Sequence, residues 1–577
     1  MTNNIRVFLW LGLALALYLN YTQWQVDYGA KPATPAVNAD GSATIPASPA
    51  DTVPQAAQSI PDATPADATV PTPATAAATP GADSTALEAS GAGKVRVTSD
   101  VLVLDIDLKG GTLVHAELPG YPIVKGESQP VVLFNRDSPL TKYVLQSGLA
   151  GTKADDSRPS HVAVFTSTQD RYTFSPGQKE LRVPLTWTDG TGVTVTKTFI
   201  FQRDSFAVGL EYQVVNAGAS PWVMHSYARI VRTDPEHERS MFKVESFAFR
   251  GPAFWGPAKP GEKLTFNRVP IEDAADKKLP SGVEGGWVAS LQHHFVSVIV
   301  PDPARKYDFS LGVNDREFIL GVFGPALSVA PGSTAVVREN LFVGPKLQSQ
   351  LTQLNPDLDR VADYGILTLL SRPLFVLLEF LHSMVNNWGL AIILATFLLK
   401  LAFYPLSEKA GRSMARMRAL APRMKLLQET YKDDRTKLGQ ATMELYKTEK
   451  VNPLAGCLPM LIQMPVFLAF YWVLLESVEM RQAPFFGWIN DLSSRDPFFI
   501  LPALNGVAMW LQYKLNPPPP DPMQAKIFQF MPIIFSVMFA LFPAGLVLYW
   551  VTNTGLSILQ QWNINRKIAA EDKARKK

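Results

Sequence analysis

Lys400 stands inside the run Ala391–Leu406, AIILATFLLKLAFYPL, with no charged neighbour for at least six residues on either side. A lysine in the middle of a membrane-crossing helix costs about 2.5–3.5 kcal/mol on insertion scales. Three roles are open to it. It can snorkel, since the cytoplasmic end of the run is only roughly 10 Å away. It can pair with a polar group on another helix. Or it can face a hydrated cavity and attract acidic or polar groups that enter there. Thr396 lies one turn earlier on the same helix face. Other apolar runs carry Gln463, Asn505, Gln512, Thr552, Asn553 and Thr554. Each is costly in hydrocarbon, so several are expected to share a polar interior. Glu476 and Glu479 fall near the outer end of their run, so no carboxylate is expected at the depth of Lys400.

Catalytic signatures are missing. Gly91–Lys94, GAGK, lacks the spacing and the following Ser or Thr of a phosphate-binding loop. There is no G-x-S-x-G elbow, and EHERS around His237 is not H-E-x-x-H. His293 and His294 are adjacent in an apparent strand, so their side chains are expected on opposite faces, which argues against a shared metal. Cys457 is the one cysteine, so no intramolecular disulfide can form. No cofactor and no enzymatic reaction is implied.

The elements that must position Lys400 emerge from the composition. The chain has 577 residues and a net charge of +3, which excludes a whole-protein argument for nucleic-acid binding. Residues 1–28 hold Arg6, an apolar stretch from Val7 to Leu19, and Tyr18, Tyr21 and Trp24 around its far end, as in a signal-anchor span. Residues 29–93 are rich in Ala, Pro, Thr, Ser and Asp and carry no apparent core, so a disordered tether is predicted. Residues 94–345 change to short alternating runs broken by Gly, Pro, Asn and Asp, which predicts a large antiparallel β-sandwich. In residues 346–387, Leu367, Leu370, Leu374, Leu377, Leu378 and Leu381 recur at helical spacing, interrupted by Arg372, Glu379 and His382. An amphipathic helix on the outer membrane surface is predicted.

Residues 388–565 hold five apolar segments, near 390–406, 456–475, 497–513, 527–542 and 545–561. The last two are separated by Phe542–Gly545, FPAG, and are predicted to form a tight hairpin. Residues 407–452 carry eleven Lys and Arg, the 479–496 loop two, and the tail 566–577 six. The positive-inside rule then gives one topology of six spans: both termini cytoplasmic, the sandwich on the other side.

Within residues 407–452 two helices are predicted, with a turn near Asp433–Asp434. Met414, Met417, Ala421 and Met424 form the seam of a coiled-coil-like hairpin, facing Leu438, Ala441 or Thr442, and Leu445. The same methionines suit an adaptable surface for apolar partners. Arg412, Arg416, Arg418, Arg423 and Lys425 make a basic face, either a topology determinant or a docking surface for anionic phospholipid or ribosomal RNA.

The segments KVNPLAGCLPMLIQMPVFLAFYWVL, SVEMRQAPFFGWINDLSSRDPFFILP, DPMQAKIFQFMPIIFSVMFALFPAGLVLYWVTN and RPLFVLLEFLHSMVNNWG closely resemble the YidC/Oxa/Alb family of membrane protein insertases, in its Gram-negative form. The resemblance runs through essentially the whole chain. It implies a polytopic α-helical membrane protein with a five-helix core and a periplasmic β-super-sandwich. It implies a positively charged groove that receives nascent membrane proteins from the ribosome, alone or beside the Sec translocon and its accessory subunits, with the signal recognition particle and its receptor upstream. By position, Lys400 matches the groove's basic residue, usually arginine. Thr396 and Gln463 match its polar lining, with Asn505 and Thr552 as further polar positions, and Tyr549 and Trp550 lie near the surface that meets substrate. Lysine keeps the charge but lacks the planar two-pronged donor.

Two other classes stay in view. A secondary transporter would use Lys400 to bind a small anion, although five core spans hold no inverted repeat. A receptor would place its function in the β-domain, and insertion that survives deletion of residues 94–340 would exclude it.

Overall fold

The computed structural model describes residues 93–151, 158–234, 248–275, 277–362, 364–431, 434–449, 458–515 and 522–576. The expected anchor and tether, Cys457 and the proline-rich 516–521 segment lie outside them.

Between Lys94 and Pro345 the described residues form nineteen strands in two sheets, one 11-stranded and one 8-stranded. Burial alternates along Glu180–Thr188 and much of Val193–Gln202, as period-2 patterning requires of strands with one face inward. Phe134, Leu145, Ile230 and Leu320 of the larger sheet share one hydrophobic core with Phe199, Tyr212, Trp287 and Phe342 of the smaller. Val193–Gln202 and Ala207–Asn216 pair antiparallel, and Asp204 turns between them at φ 53°. Gly110 and Gly111 both have positive φ, in a turn that side-chain-bearing residues resist. Their carbonyls accept hydrogen bonds from Lys197 Nζ, at 2.8 and 2.9 Å, and Ser147 O accepts a third at 3.0 Å. Lys197 is fully buried on the smaller sheet, so it ties that sheet to two elements of the larger. Burial pushes its ammonium down to about 7.

From Thr368 onward the described residues form nine α-helices. α1 spans Thr368–Val385, α2 Trp388–Ala402, α3 Tyr404–Ala419, α4 Ala421–Thr430 and α5 Arg435–Thr448. α6 spans Leu458–Glu476, α7 Ile500–Leu515, α8 Pro522–Phe539 and α9 Ala544–Lys576. Asn386 at φ 50° ends α1, and Asn387 caps α2 by accepting from Leu390 N. His382 then stacks on Trp388, ring centroids 4.0 Å apart. Leu378, Ile392, Phe470, Val473 and Val547 bring α1, α2, α6 and α9 into one apolar core.

By length and composition Thr368–Val385 can cross a membrane, and Trp388–Ala402 passes only together with Tyr404–Ser413. Those two meet at 61°. The run 390–406 is therefore not one straight helix. Pro405 at the second position of α3 lacks the N–H that would continue α2. The predicted two-helix segment is also three helices. Pro422 opens α4 after a break at Leu420. α3 packs against α9 and α6, while α4 packs against α5. The tail is not separate: α9 runs unbroken for 33 residues, since nothing after Gly555 breaks a helix.

Candidate functional site

The bend at Phe403 leaves Lys400 in the last turn of α2. Unpaired carbonyls and the helix dipole favour a cation there. Lys400 Nζ donates to Ser557 Oγ on α9 at 2.8 Å and approaches Gln463 Oε1 on α6 at 3.4 Å. Gln463 Nε2 in turn donates to Asn553 Oδ1 at 2.5 Å, and Ser557 Oγ donates to Asn553 O at 2.7 Å. Three helices thus close a ring of neutral partners around one ammonium. Among the described residues no carboxylate lies within ion-pair distance of Lys400.

A small recess, open at its mouth, surrounds this ring. Thr396, Leu399, Lys400, Phe403, Leu406, Ser407, Gln463, Val466, Tyr549 and Asn553 line it. Thr396 is buried, and its hydroxyl donates to Ile392 O at 2.7 Å, so it presents no free donor. Tyr549 stacks on Phe470 with centroids 4.7 Å apart, which fixes one wall.

The structure brings Lys400, Thr396, Gln463 and Tyr549 together but leaves three expected residues elsewhere. Asn505 is fully buried on α7 and accepts from Thr554 Oγ1 at 3.5 Å, a separate contact between α7 and α9. Trp550 packs on Phe467 and Phe539, one residue round the helix from Tyr549. Thr552 is half-buried and does not line the recess. Ser557 was missed, yet a signal exists. Tyr549, Asn553, Ser557, Gln561 and Asn565 recur every four residues and form one polar stripe on α9.

The basic segment is also partly engaged. Arg412 makes two bonds to Glu571, at 2.7 and 3.0 Å, and one to Glu408 at 3.0 Å. Ile564 packs against Gly411, so α9 extends along the base of α3. Arg423 pairs with Glu449. Arg416 is exposed. Met424 is buried and Met417 half-buried; because Met417 sits on α3, one continuous methionine seam against α5 is not formed. The side chains of Met414 and Arg418 lie outside the described residues.

His293 and His294 depart most from expectation. They sit in the turn between strands Trp287–Leu291 and Phe295–Val300, not within a strand. Their rings stack 3.8 Å apart, and both Nε2 atoms approach Leu475 O, at 2.9 and 3.2 Å. A turn frees adjacent residues from the alternation of a strand. The pair covers a carbonyl in the last turn of α6, which would otherwise lack a partner. Lys346 and Glu476 form an ion pair beside it.

These features define a class: an apolar helical bundle with a cation-bearing polar recess, joined to a large β-sheet domain. Residues 94–377 match the family described as YidC periplasmic domain, and residues 380–572 match that described as 60Kd inner membrane protein. The "Membrane protein insertase YidC" of Thioalkalivibrio sulfidiphilus is 44% identical, covering 100% of both chains. The protein of that name from Nitrosococcus oceani is 42% identical, covering 98% of this chain and 99% of its own. A solved structure of an active YidC insertase covers 82% of this chain and 93% of its own at 18% identity, with a TM-score of 0.36. The chain belongs to the YidC family of membrane protein insertases, whose β-sheet-rich periplasmic domain and inner-membrane location it shares. The function named for these relatives is not enzymatic.

Proposed function

We propose that this chain inserts transmembrane segments of nascent proteins into the inner membrane of a Gram-negative bacterium, using the recess at Lys400. One observation carries this reading: the Lys400 ammonium is held by neutral groups, Ser557 and Gln463. Neutral acceptors leave its charge uncompensated, so it attracts an acidic or polar flank of an entering segment. The recess lowers the cost of moving that flank, and burial of the segment's apolar residues in lipid supplies the drive.

In this reading α2, α6, α7, α8 and α9 are the five core spans, and the N-terminal anchor is the sixth. Both termini and α3–α5 lie in the cytoplasm, and the β-domain is a periplasmic sandwich. The distribution of Lys and Arg supports it. α7 has 16 residues, roughly 24 Å against a hydrocarbon core of about 30 Å, so the bilayer thins beside it. α1 lies along the outer surface, with Arg372 paired to Asp359 and Leu369, Val376 and Phe380 exposed toward lipid. Arg416 and Lys425 remain exposed on the cytoplasmic helices, where ribosome or anionic phospholipid docks. The Sec translocon, and the signal recognition particle with its receptor, are partners in the same route.

The test is substrate insertion after depletion of the resident protein, read by protease protection, with Lys400→Arg, Lys400→Ala and Lys400→Glu. Arginine is expected to match lysine, alanine to slow insertion several-fold, and glutamate to slow it more than tenfold. Glutamate working as well as lysine would overturn the charge-attraction step. Purified protein that moves small anions and inserts nothing would replace this reading with the transporter.

A further inference from the structure

The hairpin between strands Thr112–Pro122 and Pro130–Asn135 has an unusual tip. Turn positions favour Gly, Pro, Asn, Asp and Ser, because these satisfy the backbone and meet water. Here the tip opens with Ile123 and Val124, 49% and 50% exposed and adjacent in a bend. The rest of the tip, Lys125 to Gln129, is conventionally polar.

This tip is held by the loop that joins α6 to α7. Arg481 Nη2 donates to Pro122 O at 2.7 Å and to Ile123 O at 3.3 Å. Gln482 Nε2 donates to Pro122 O at 2.9 Å. Lys125 Nζ reaches back to Gln482 O at 2.6 Å and to Asn490 O. Each bond joins a side-chain donor to a backbone carbonyl, so the contact fixes the backbone of the tip against the loop. The loop starts directly after Glu476 and ends at Ile500. Anything bonded to it therefore lies at the level where two apolar helices end. The loop exposes Phe486, Phe498 and Phe499 as well. Aromatic and aliphatic side chains at that level partition into the headgroup region.

We propose that Ile123 and Val124 insert into the headgroup layer of the outer leaflet, making the hairpin tip a lipid contact of the β-domain. The inference rests on α6 and α7 being spans. With the junction at Leu475, it gives the β-domain a second fixed point and sets its height on the bilayer.

The experiment uses full-length protein in phosphatidylethanolamine–phosphatidylglycerol vesicles. Cys457→Ser removes the one native cysteine. Val124→Cys, Thr334→Cys and Val507→Cys are then labelled singly with an environment-sensitive fluorophore. Lipids carry nitroxides at shallow or deep acyl positions. Thr334 is the aqueous reference, since its strand runs about 40 Å from the junction at Lys346. Val507, exposed on α7, reports the span. Quenching of the 124 label by shallow nitroxides at least twofold above the 334 label is expected. A 124 label quenched no more than the 334 label, with the 507 label quenched by deep nitroxides, overturns the proposal alone. A 507 label that deep nitroxides do not quench overturns the spanning reading and this proposal with it.

Discussion

Lys346 and Glu476 meet in an ion pair of 3.5 Å that is almost sealed from water, with Lys346 2% and Glu476 4% exposed. The first follows the last strand of the β-domain, and the second is the last residue of α6. Together with His293 and His294 on Leu475 O, the pair makes the C-terminal end of α6 part of the β-domain's own packing. Gln463, in the ring around Lys400, lies on that same helix.

Removing Lys346 takes one charge out of a buried ion pair. Lys346→Ala is expected to cost about 3–5 kcal/mol, seen as a lower Tm in detergent. The double variant Lys346→Met, Glu476→Leu is expected to recover most of that loss, because apolar residues of similar volume remove both charges. A double variant no more stable than Lys346→Ala would show that the pair is not the dominant contact.

The junction should weaken in acid. Burial, and then the charge of Lys346, push His294 down to about 3, with Arg481 adding to the shift and the bond to Leu475 O opposing it. Burial, His294, Lys346 and Arg250 depress His293 as well. Both folded values lie below the ordinary 6.5. Their contribution is therefore complete above pH 6.5 and is lost as pH falls through the folded values, about 3 for His294. Each pH unit in that window removes up to about 1.4 kcal/mol per histidine. Tm against pH is expected to fall below pH 6.5 in the wild type and more gently in His294→Gln. Parallel curves would contradict it.

Gly389 has no room for a side chain. A Cβ there would stand 2.1 Å from Phe485 Cδ2, in the ring that seats the α6–α7 loop on α2. Gly389→Ala is expected to cost about 1–3 kcal/mol, measured by thermal unfolding, and Phe485→Leu in the same chain is expected to restore part of it.

Ser557→Ala removes the shortest contact of Lys400 and keeps its charge. If charge is what the recess supplies, insertion measured by protease protection should slow less than threefold, far less than with Lys400→Glu. Equal losses in the two variants would mean that the orientation of the ammonium matters as much as its sign.

Strands and helices were legible in the sequence because their patterns are local. Alternation along Glu180–Thr188 follows from period-2 geometry, and the apolar runs of α6 and α8 follow from the cost of exposing such residues to water. Lys400, Thr396 and Gln463 stood out for the same reason, since a polar group in an apolar run is visible without knowing its neighbours.

What surrounds Lys400 was decided by tertiary structure. Ser557 lies 157 positions along the chain and reaches the ammonium only because α2, α6 and α9 pack together. The same packing sends Asn505 to Thr554 and turns Trp550 away, although these polar and aromatic positions looked equivalent in one dimension. His293 and His294 could share a carbonyl only once a turn released them from strand alternation. Periodicity specifies which face of an element is polar. It does not specify which faces meet, because that depends on the geometry of all the elements packed at once.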